Sequence, residues 1–218
     1  MRARVVYASK ERSPQQSITY EELAEPKWKG RICVRSGQHV YNLGLISAMI
    51  ANRGETATKQ WLQGLKANLA LKPSGNDRSQ AKSVFAGECD IAIGNTYYMG
   101  KMMTNEEAPE QKDWAKAVHI IFPQSANMPT NVNISGMMLS ANAPNAENAR
   151  KLMAYLASPA AQSLYAEGNF EYPVSPEVAP ATIVASWGKL TPDPMPVANL
   201  ARHMKRASQL VDEVAFDD

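Results

Sequence analysis

Two segments of the chain share one pattern: a short apolar run, a polar turn, and then apolar residues at helical spacing. The first segment is Arg31–Asn42, with a predicted strand over Ile32–Val34 and an amphipathic helix directly after it. The second is Cys89–Lys101, with a predicted strand over Asp90–Ile93, a Gly-Asn turn and a predicted helix start. Short apolar runs bounded by glycine-containing turns are typical of strands in α/β proteins. The pattern therefore predicts two strand–loop–helix units.

Other parts of the chain show the same kinds of pattern. Apolar residues at helical spacing predict helices over 55–68, 79–86, 145–156, 159–167 and 197–214, and an apolar run predicts a strand over 118–122. In the helix over 145–156, this spacing is expected to turn Ala149, Leu152, Met153 and Leu156 inward.

Tyrosines follow both strands of the paired units at the same distance. Tyr41 comes eight residues after Cys33, and Tyr97 comes eight residues after Cys89, with Tyr98 beside it. If the strands are parallel neighbours, the tyrosines emerge at one edge of the sheet, where α/β proteins place ligands. A hard trivalent cation such as Fe(III) can hold phenolates deprotonated, although the pKa of free tyrosine is near ~10. The alternative is a packing role, with the ring on the core and the hydroxyl in water.

The motifs GNTYYMG and RSGQHVYN, with VNISG and AEGNFEYPV downstream, resemble the periplasmic ferric-iron-binding proteins that supply ABC importers. The resemblance covers essentially all 218 residues and implies an α/β fold of the type II periplasmic binding protein class. It implies Fe(III) held by phenolates of Tyr41, Tyr97 and Tyr98, and delivery of the ion to an ABC transporter permease. It also implies a periplasmic protein that is not an enzyme and is monomeric at full length.

The same resemblance implies how the chain is divided. Residues 1–8 are expected to form a crossover strand, and residues 9–131 a complete C-lobe with the tyrosine loops. Residues 132–180 are expected to form a hinge strand and an incomplete N-lobe, and residues 181–218 a segment that packs on the C-lobe. Members of the family carry roughly a hundred more residues, about one small domain, before the strand that RARV resembles. The first residues lack the long apolar run of a signal peptide. We therefore expect this chain to lack most of one lobe.

Some family members complete the iron shell with a synergistic anion. The positions that resemble its cradle are Ser36, Gly37, Asn76 and Asn95. Backbone N–H groups at a helix N-terminus can bind such an anion. For Asn76, capping of the following helix is the alternative role.

Arginines near the first crossover are further candidates for the anion. Arg2 or Arg4 could balance charge or hold a carbonate, and both have the same parity in a strand, so the pattern does not decide which one faces the cleft. A tyrosine at position 41 resembles the relatives that use three C-lobe phenolates, with no anion or only carbonate. Three phenolates already neutralise Fe(III), so a further anion gains less Coulomb energy.

Cys33 and Cys89 are the only cysteines and lie 56 residues apart. Their equal offset from the tyrosines places them at similar height in the sheet, where a disulfide can form if the side chains face each other. Such a bond would indicate an oxidising compartment such as the periplasm; two buried free thiols are the alternative. No CxxC spacing is present and thiolates are soft ligands, which argues against a metal role.

Composition and charge narrow the function classes. A net charge of +2 is too small to indicate a nucleic-acid or membrane-surface partner, and no run of 18 apolar residues predicts a membrane span. No phosphate-binding loop, nucleophile elbow or zinc-protease motif is present. Two alternatives share the expected architecture: a periplasmic protein that binds small organic anions, and the effector domain of a transcriptional regulator.

Overall fold

A five-stranded mixed sheet forms the centre of the fold, in the computed structural model that describes all 218 residues. Its strands are β1 (Arg2–Ser9), β2 (Ile32–Cys33), β3 (Ile91–Asn95), β4 (Val118–Ile121) and β5 (Val132–Asn133). Strand β1 lies between β3 and β4 and runs antiparallel to both, and β5 pairs antiparallel with the first residues of β1. Strand β2 is parallel to β3 at the other side of β3.

Helices cover both faces of this sheet. They are α1 (Val40–Arg53), α2 (Glu55–Ala67), α3 (Asp77–Phe85), α4 (Thr96–Met103), α5 (Glu110–Ala117), α6 (Ala146–Leu156), α7 (Pro159–Asn169), α8 (Thr182–Ala185) and α9 (Val197–Glu213). Two short 3₁₀ helices, Glu21–Ala24 and Pro26–Trp28, precede β2.

Strand β1 separates two apolar cores. Val6 and Ala8 belong to the core formed with α1, α2 and α9, whereas Val5 and Tyr7 belong to the core formed with α3, α4 and α5. Successive side chains of a strand point to opposite faces, so a strand covered on both sides is apolar throughout. This accounts for the uninterrupted run VVYA in β1.

The two tyrosine units lie side by side because β2 and β3 are parallel neighbours, with Cys33 opposite Ala92. Their boundaries differ from the sequence predictions. Strand β3 includes Gly94 and Asn95, since Gly94 pairs with β1 and a Cβ there would lie 2.3 Å from the Tyr7 ring. Helix α1 begins at Val40, so Tyr41 lies in its first turn and not in the preceding loop.

The two cysteines are joined in a disulfide, with their Cα atoms 5.9 Å apart. Cys33 ends β2 and Cys89 lies just before β3, and both side chains are buried. The bond therefore links the end of β2 to the residues that enter β3. In a chain-entropy account, a bond that closes a loop of this size stabilises the fold by about 2–4 kcal/mol.

The C-terminal helix α9 packs on α1 and buries Leu200, Ala207, Leu210 and Val211 in the first core. Helix α6, in contrast, buries none of its side chains. The expectation that α6 turns Leu152 and Leu156 inward is wrong for this structure, because no other part of the chain covers that side of the helix.

Candidate metal centre

Three tyrosine side chains meet at the edge of the sheet where β2 and β3 end. The hydroxyl oxygens of Tyr41 and Tyr97 lie 3.2 Å apart and share a hydrogen bond. The rings of Tyr97 and Tyr98 are stacked with their centres 4.1 Å apart. Tyr97 is buried, and Tyr41 and Tyr98 are partly exposed. The structure therefore brings together the three tyrosines that the sequence singles out.

Helix starts fix the positions of these side chains. Tyr97 and Tyr98 are the second and third residues of α4, and Thr96 Oγ1 at the helix start accepts a hydrogen bond from the Ala3 N–H of β1 at 3.1 Å. Tyr41 is the second residue of α1, whose N-cap is His39. The His39 Nδ1 atom accepts the Tyr41 N–H at 3.2 Å. Burial, and next the neighbouring Arg35, lower the pKa of His39, which favours the neutral ring that this bond requires.

Cationic side chains surround the phenol rings. The guanidinium carbons of Arg2, Arg4 and Arg35 lie 5.5, 5.9 and 5.4 Å from the centre of the Tyr41 ring. Arg78 lies 5.7 Å from the Tyr98 ring, and the Lys101 ammonium lies 5.6 Å from the Tyr97 ring. Positive charge at these distances stabilises phenolate anions relative to neutral phenols.

A buried carboxylate, Asp77, fixes two of these arginines. Its oxygens accept hydrogen bonds from Arg4 at 2.7 Å and Arg35 at 3.0 Å, and also from the Asn95 N–H at 2.8 Å. Asp77 therefore ties β1, the loop after β2 and the end of β3 together behind the tyrosines. In the sequence, Asp77 lies two residues before the helix predicted over 79–86. Nothing in its local pattern distinguishes a buried carboxylate from an exposed one at a helix start.

Both arginines of β1 face the tyrosines, which answers the question that strand parity leaves open. Arg4 is buried and also donates to Asn42 Oδ1 at 2.7 Å. Arg2 donates to Ser135 Oγ at 2.7 Å and to Glu171 Oε1 at 3.2 Å. Sequence reasoning passes over Glu171 and Asn42 as well, because their roles depend on residues distant in the chain.

Four buried donors beside the tyrosines have no hydrogen-bond partner within the chain. They are the Nε atoms of Arg2, Arg4 and Arg35 and the Nδ2 atom of Asn95. Buried donors in proteins are nearly always paired, so a group of four at one place is unusual. Their chemistry suits an anion, since guanidinium and amide groups donate hydrogen bonds and carry positive charge or dipole.

The phenols themselves are hard to ionise in the ion-free chain. Burial raises the pKa of Tyr97, and the hydrogen bond to Tyr41 raises it further. Burial also raises the pKa of Tyr98. Both side chains are therefore neutral at neutral pH, and a cation that binds them must displace their protons.

The other positions proposed for the anion cradle have partners of their own. The Ser36 hydroxyl and the Gly37 N–H both donate to the Asp217 carboxylate, at 2.6 and 2.7 Å. The Asn76 side chain accepts from the N–H groups of Arg78 and Ser79 and caps α3. Local capping and a carboxylate of the chain itself therefore satisfy Ser36, Gly37 and Asn76, whereas Asn95 Nδ2 has no partner.

No group of three or more histidine, cysteine, aspartate or glutamate side chains is arranged to hold a metal ion. None of the helices combines the length and the apolar character that crossing a membrane requires.

The candidate ligands lie where the parallel strands β2 and β3 end, which is where α/β proteins bind their ligands. Residues 5–189 match the family described as bacterial extracellular solute-binding protein, and the chain belongs to this family.

Among curated relatives, Iron uptake protein A2 of Synechocystis sp. is 42% identical over 218 residues, which is 99% of this chain and 63% of that protein. This chain therefore spans less than two thirds of that relative's length. Among solved structures, the Bordetella ferric binding protein is 48% identical with a TM-score of 0.92, over all of this chain and 68% of that one. The Trichodesmium protein IdiA, or FutA, in complex with iron and citrate is 38% identical with a TM-score of 0.93, over 99% of this chain and 68% of that one. These likenesses confirm the expected type II periplasmic-binding fold.

Proposed function

We propose that this chain belongs to the substrate-binding component of a ferric iron ABC transporter, and that Tyr41, Tyr97 and Tyr98 capture Fe(III) as phenolates. The observation that carries this proposal is the meeting of three phenol side chains at one sheet edge, with Tyr41 Oη and Tyr97 Oη 3.2 Å apart. Oxygen atoms at adjacent positions around one small octahedral ion, each about 2 Å from it, lie about 3 Å from each other. The measured spacing suits a shared ion.

The charges of the site favour a trivalent ion. Three phenolates carry three negative charges, so their exchange of three protons for one Fe(III) leaves the net charge of the site unchanged. The surrounding guanidinium groups help to hold the phenolate form, and Asp77 offsets part of their charge. Phenolate oxygen is also a hard donor, which matches Fe(III) better than soft divalent metals.

The proposal also includes a small anion that binds beside the tyrosines. The partnerless donors of Arg2, Arg4 and Asn95 provide a place for carbonate or another synergistic anion beside the tyrosines. One of the related structures contains iron together with citrate, which is consistent with an anion of the carboxylate class. The anion would bind the arginine side of the site and not the Ser36–Gly37 loop.

The rest of the proposal concerns the part of the relatives' length that these 218 residues do not span. A second lobe would close over the tyrosines, supply further ligands and cover the apolar face of α6 and α7. The loaded protein would deliver its ion to a membrane permease and would act as a binding protein without catalysis. A periplasmic location is supported by the family and by the disulfide, which persists in oxidising compartments.

Titration with ferric citrate tests the iron proposal. We expect a visible phenolate-to-iron charge-transfer band that is weaker in Tyr97→Phe. Tyr155→Phe is the matched control, since Tyr155 lies exposed on α6 away from the site. No band at any iron concentration, or an equal band in Tyr97→Phe, would count against the proposal.

A second candidate function is the binding of a small organic anion for import. The four partnerless donors favour it, because they suit an anion whether or not a metal is present. Metal analysis of a full-length protein as purified separates the two. Iron bound in near-equal amount supports the first function, and an organic anion without iron supports the second.

A further inference from the structure

The loop between β2 and α1 holds a carboxylate from the far end of the chain. Ser36 Oγ donates to Asp217 Oδ2 at 2.6 Å, the Gly37 N–H donates to Oδ1 at 2.7 Å, and the Gln38 N–H donates to Oδ2 at 3.3 Å. Successive backbone N–H groups in a turn form a concave site for anions. In this structure Asp217 is the anion in that site.

The segment after α9 is folded so that Asp217 reaches this loop. Ala215 adopts a left-handed conformation, with φ 51°, and the Phe216 N–H donates to the Val211 carbonyl at 3.0 Å. Phe216 is buried against Gly37, where an added Cβ would lie 2.8 Å from the phenylalanine ring. Lys66 Nζ donates to the Val214 carbonyl at 3.2 Å. These contacts hold the Asp217 carboxylate in a fixed position, which an exposed and mobile side chain would not have.

The loop that holds Asp217 adjoins the tyrosine site. It leads directly into the first turn of α1, which carries Tyr41. Asn42 Nδ2 donates to the carbonyls of Arg35 and Ser36 at 2.9 and 3.0 Å, and Asn42 Oδ1 accepts from Arg4. An ion that replaced Asp217 would thus lie on the same loop that positions Tyr41 and Arg35.

We infer that Asp217 determines the anion specificity of the site by occupying this loop and excluding inorganic oxyanions such as phosphate from it. The inference rests on the proposed function, because it concerns which anions accompany the captured ion. Charge-assisted hydrogen bonds are strong, and a tethered carboxylate competes at an effective concentration in the millimolar range or above. Phosphate would have to displace it and leave a carboxylate without its donors. The site therefore takes an external anion on the arginine side only.

Phosphate binding to the iron-free chain tests this inference independently of iron. Titration calorimetry with inorganic phosphate is carried out on the wild type, Asp217→Ala and the double variant Ser36→Ala/Asp217→Ala. We expect Asp217→Ala to bind one phosphate at least about tenfold more tightly than the wild type, since three donors become free. The gain should be smaller in the double variant, which keeps only the two backbone donors of Gly37 and Gln38.

Asp212→Ala is the matched control. The Asp212 carboxylate accepts from the Gln38 side chain at 2.7 Å, so this variant removes a negative charge from the same loop but leaves Asp217 bound. It should bind phosphate no better than the wild type. If Asp217→Ala does not fold, Asp217→Asn is tested in its place, because it keeps the shape of the side chain and removes its charge. Asp217→Asn should show a smaller gain in phosphate affinity.

Two results would overturn the inference: a folded Asp217 variant that gains no phosphate binding, or a wild type that already binds phosphate and loses it in Ser36→Ala. A second arm repeats the ferric citrate titration with phosphate, which should shift the charge-transfer band of Asp217→Ala and not that of the wild type. Absence of the band in every variant would remove the iron proposal, while the calorimetry would still decide the role of Asp217.

Discussion

The tyrosine-bearing part of the chain and the segment from residue 134 to 174 have similar amphipathic patterns, but the first buries far more of its large apolar side chains. Helix α2 buries Trp61, Leu62 and Leu65 in the first core. Helix α6 buries no side chain, and Met138 and Leu164 are 97% and 65% exposed. This difference shows that an apolar stripe predicts a helix, whereas burial of that stripe also requires another surface of the protein to face it. Large exposed apolar surfaces mark interaction sites, and the second lobe proposed above would cover this one.

The largest difference that we expect between the two regions is in how their tyrosines respond to pH. The raised pKa values of Tyr97 and Tyr98 keep these phenols protonated in the ion-free chain, so iron binding releases their protons and weakens as pH falls. With three phenols involved, affinity should rise by up to about a thousandfold per pH unit. The charge-transfer band, titrated at several pH values, measures this slope.

Matched substitutions in the two regions should change this dependence of iron affinity on pH differently. Tyr97→Phe should lower the slope by about one proton, or about tenfold per pH unit. Tyr155→Phe on α6 should leave it unchanged. Because citrate also binds protons, variants are compared with the wild type at the same pH. An identical slope in Tyr97→Phe and the wild type would show that Tyr97 does not exchange its proton for iron.

The next largest effect should come from removing a buried charge behind the tyrosines. Asp77→Ala leaves Arg4 buried without its ionic partner, which should lower the free energy of unfolding by about 3–5 kcal/mol. Urea denaturation followed by circular dichroism measures the loss. In the other region, Glu147→Ala removes an exposed ion pair with Arg150 and should change stability by no more than about 0.5 kcal/mol. Equal losses in the two variants would contradict the view that Asp77 organises the site.

A smaller contrast should appear for leucines that occupy equivalent helical stripes. Leu62 on α2 is 1% exposed, so Leu62→Ala should cost about 2–4 kcal/mol of unfolding free energy. Leu164 on α7 is mostly exposed, and Leu164→Ala should change stability by less than about 0.5 kcal/mol. The same denaturation experiment measures both. A large loss in Leu164→Ala would show that this side chain is covered in solution, for example by a second copy of the chain.

Much of the local structure could be predicted from the sequence, because the signals are short-range. The apolar runs before Tyr41 and Tyr97 predict strands, and the equal spacing from Cys33 and Cys89 places both tyrosines at one sheet edge if the strands are parallel neighbours. The structure pairs those strands in parallel.

The rest depends on contacts between distant residues, which the local pattern does not encode. Asp77 lies 73 positions from its partner Arg4, and Asp217 lies 180 from Gly37. A carboxylate at a helix start or near a chain end is usually exposed, so sequence reasoning assigns it no role. For the same reason, Ser36 and Gly37 suggest a site for an external anion until the residue that fills it is known.

Resonance Raman spectroscopy of the iron-loaded chain, excited within the charge-transfer band, tests most directly whether the tyrosines ligate iron. We predict tyrosinate vibrations that weaken in each of Tyr41→Phe, Tyr97→Phe and Tyr98→Phe and are absent from the triple variant. An iron-loaded triple variant with the spectrum of the wild type would contradict the account.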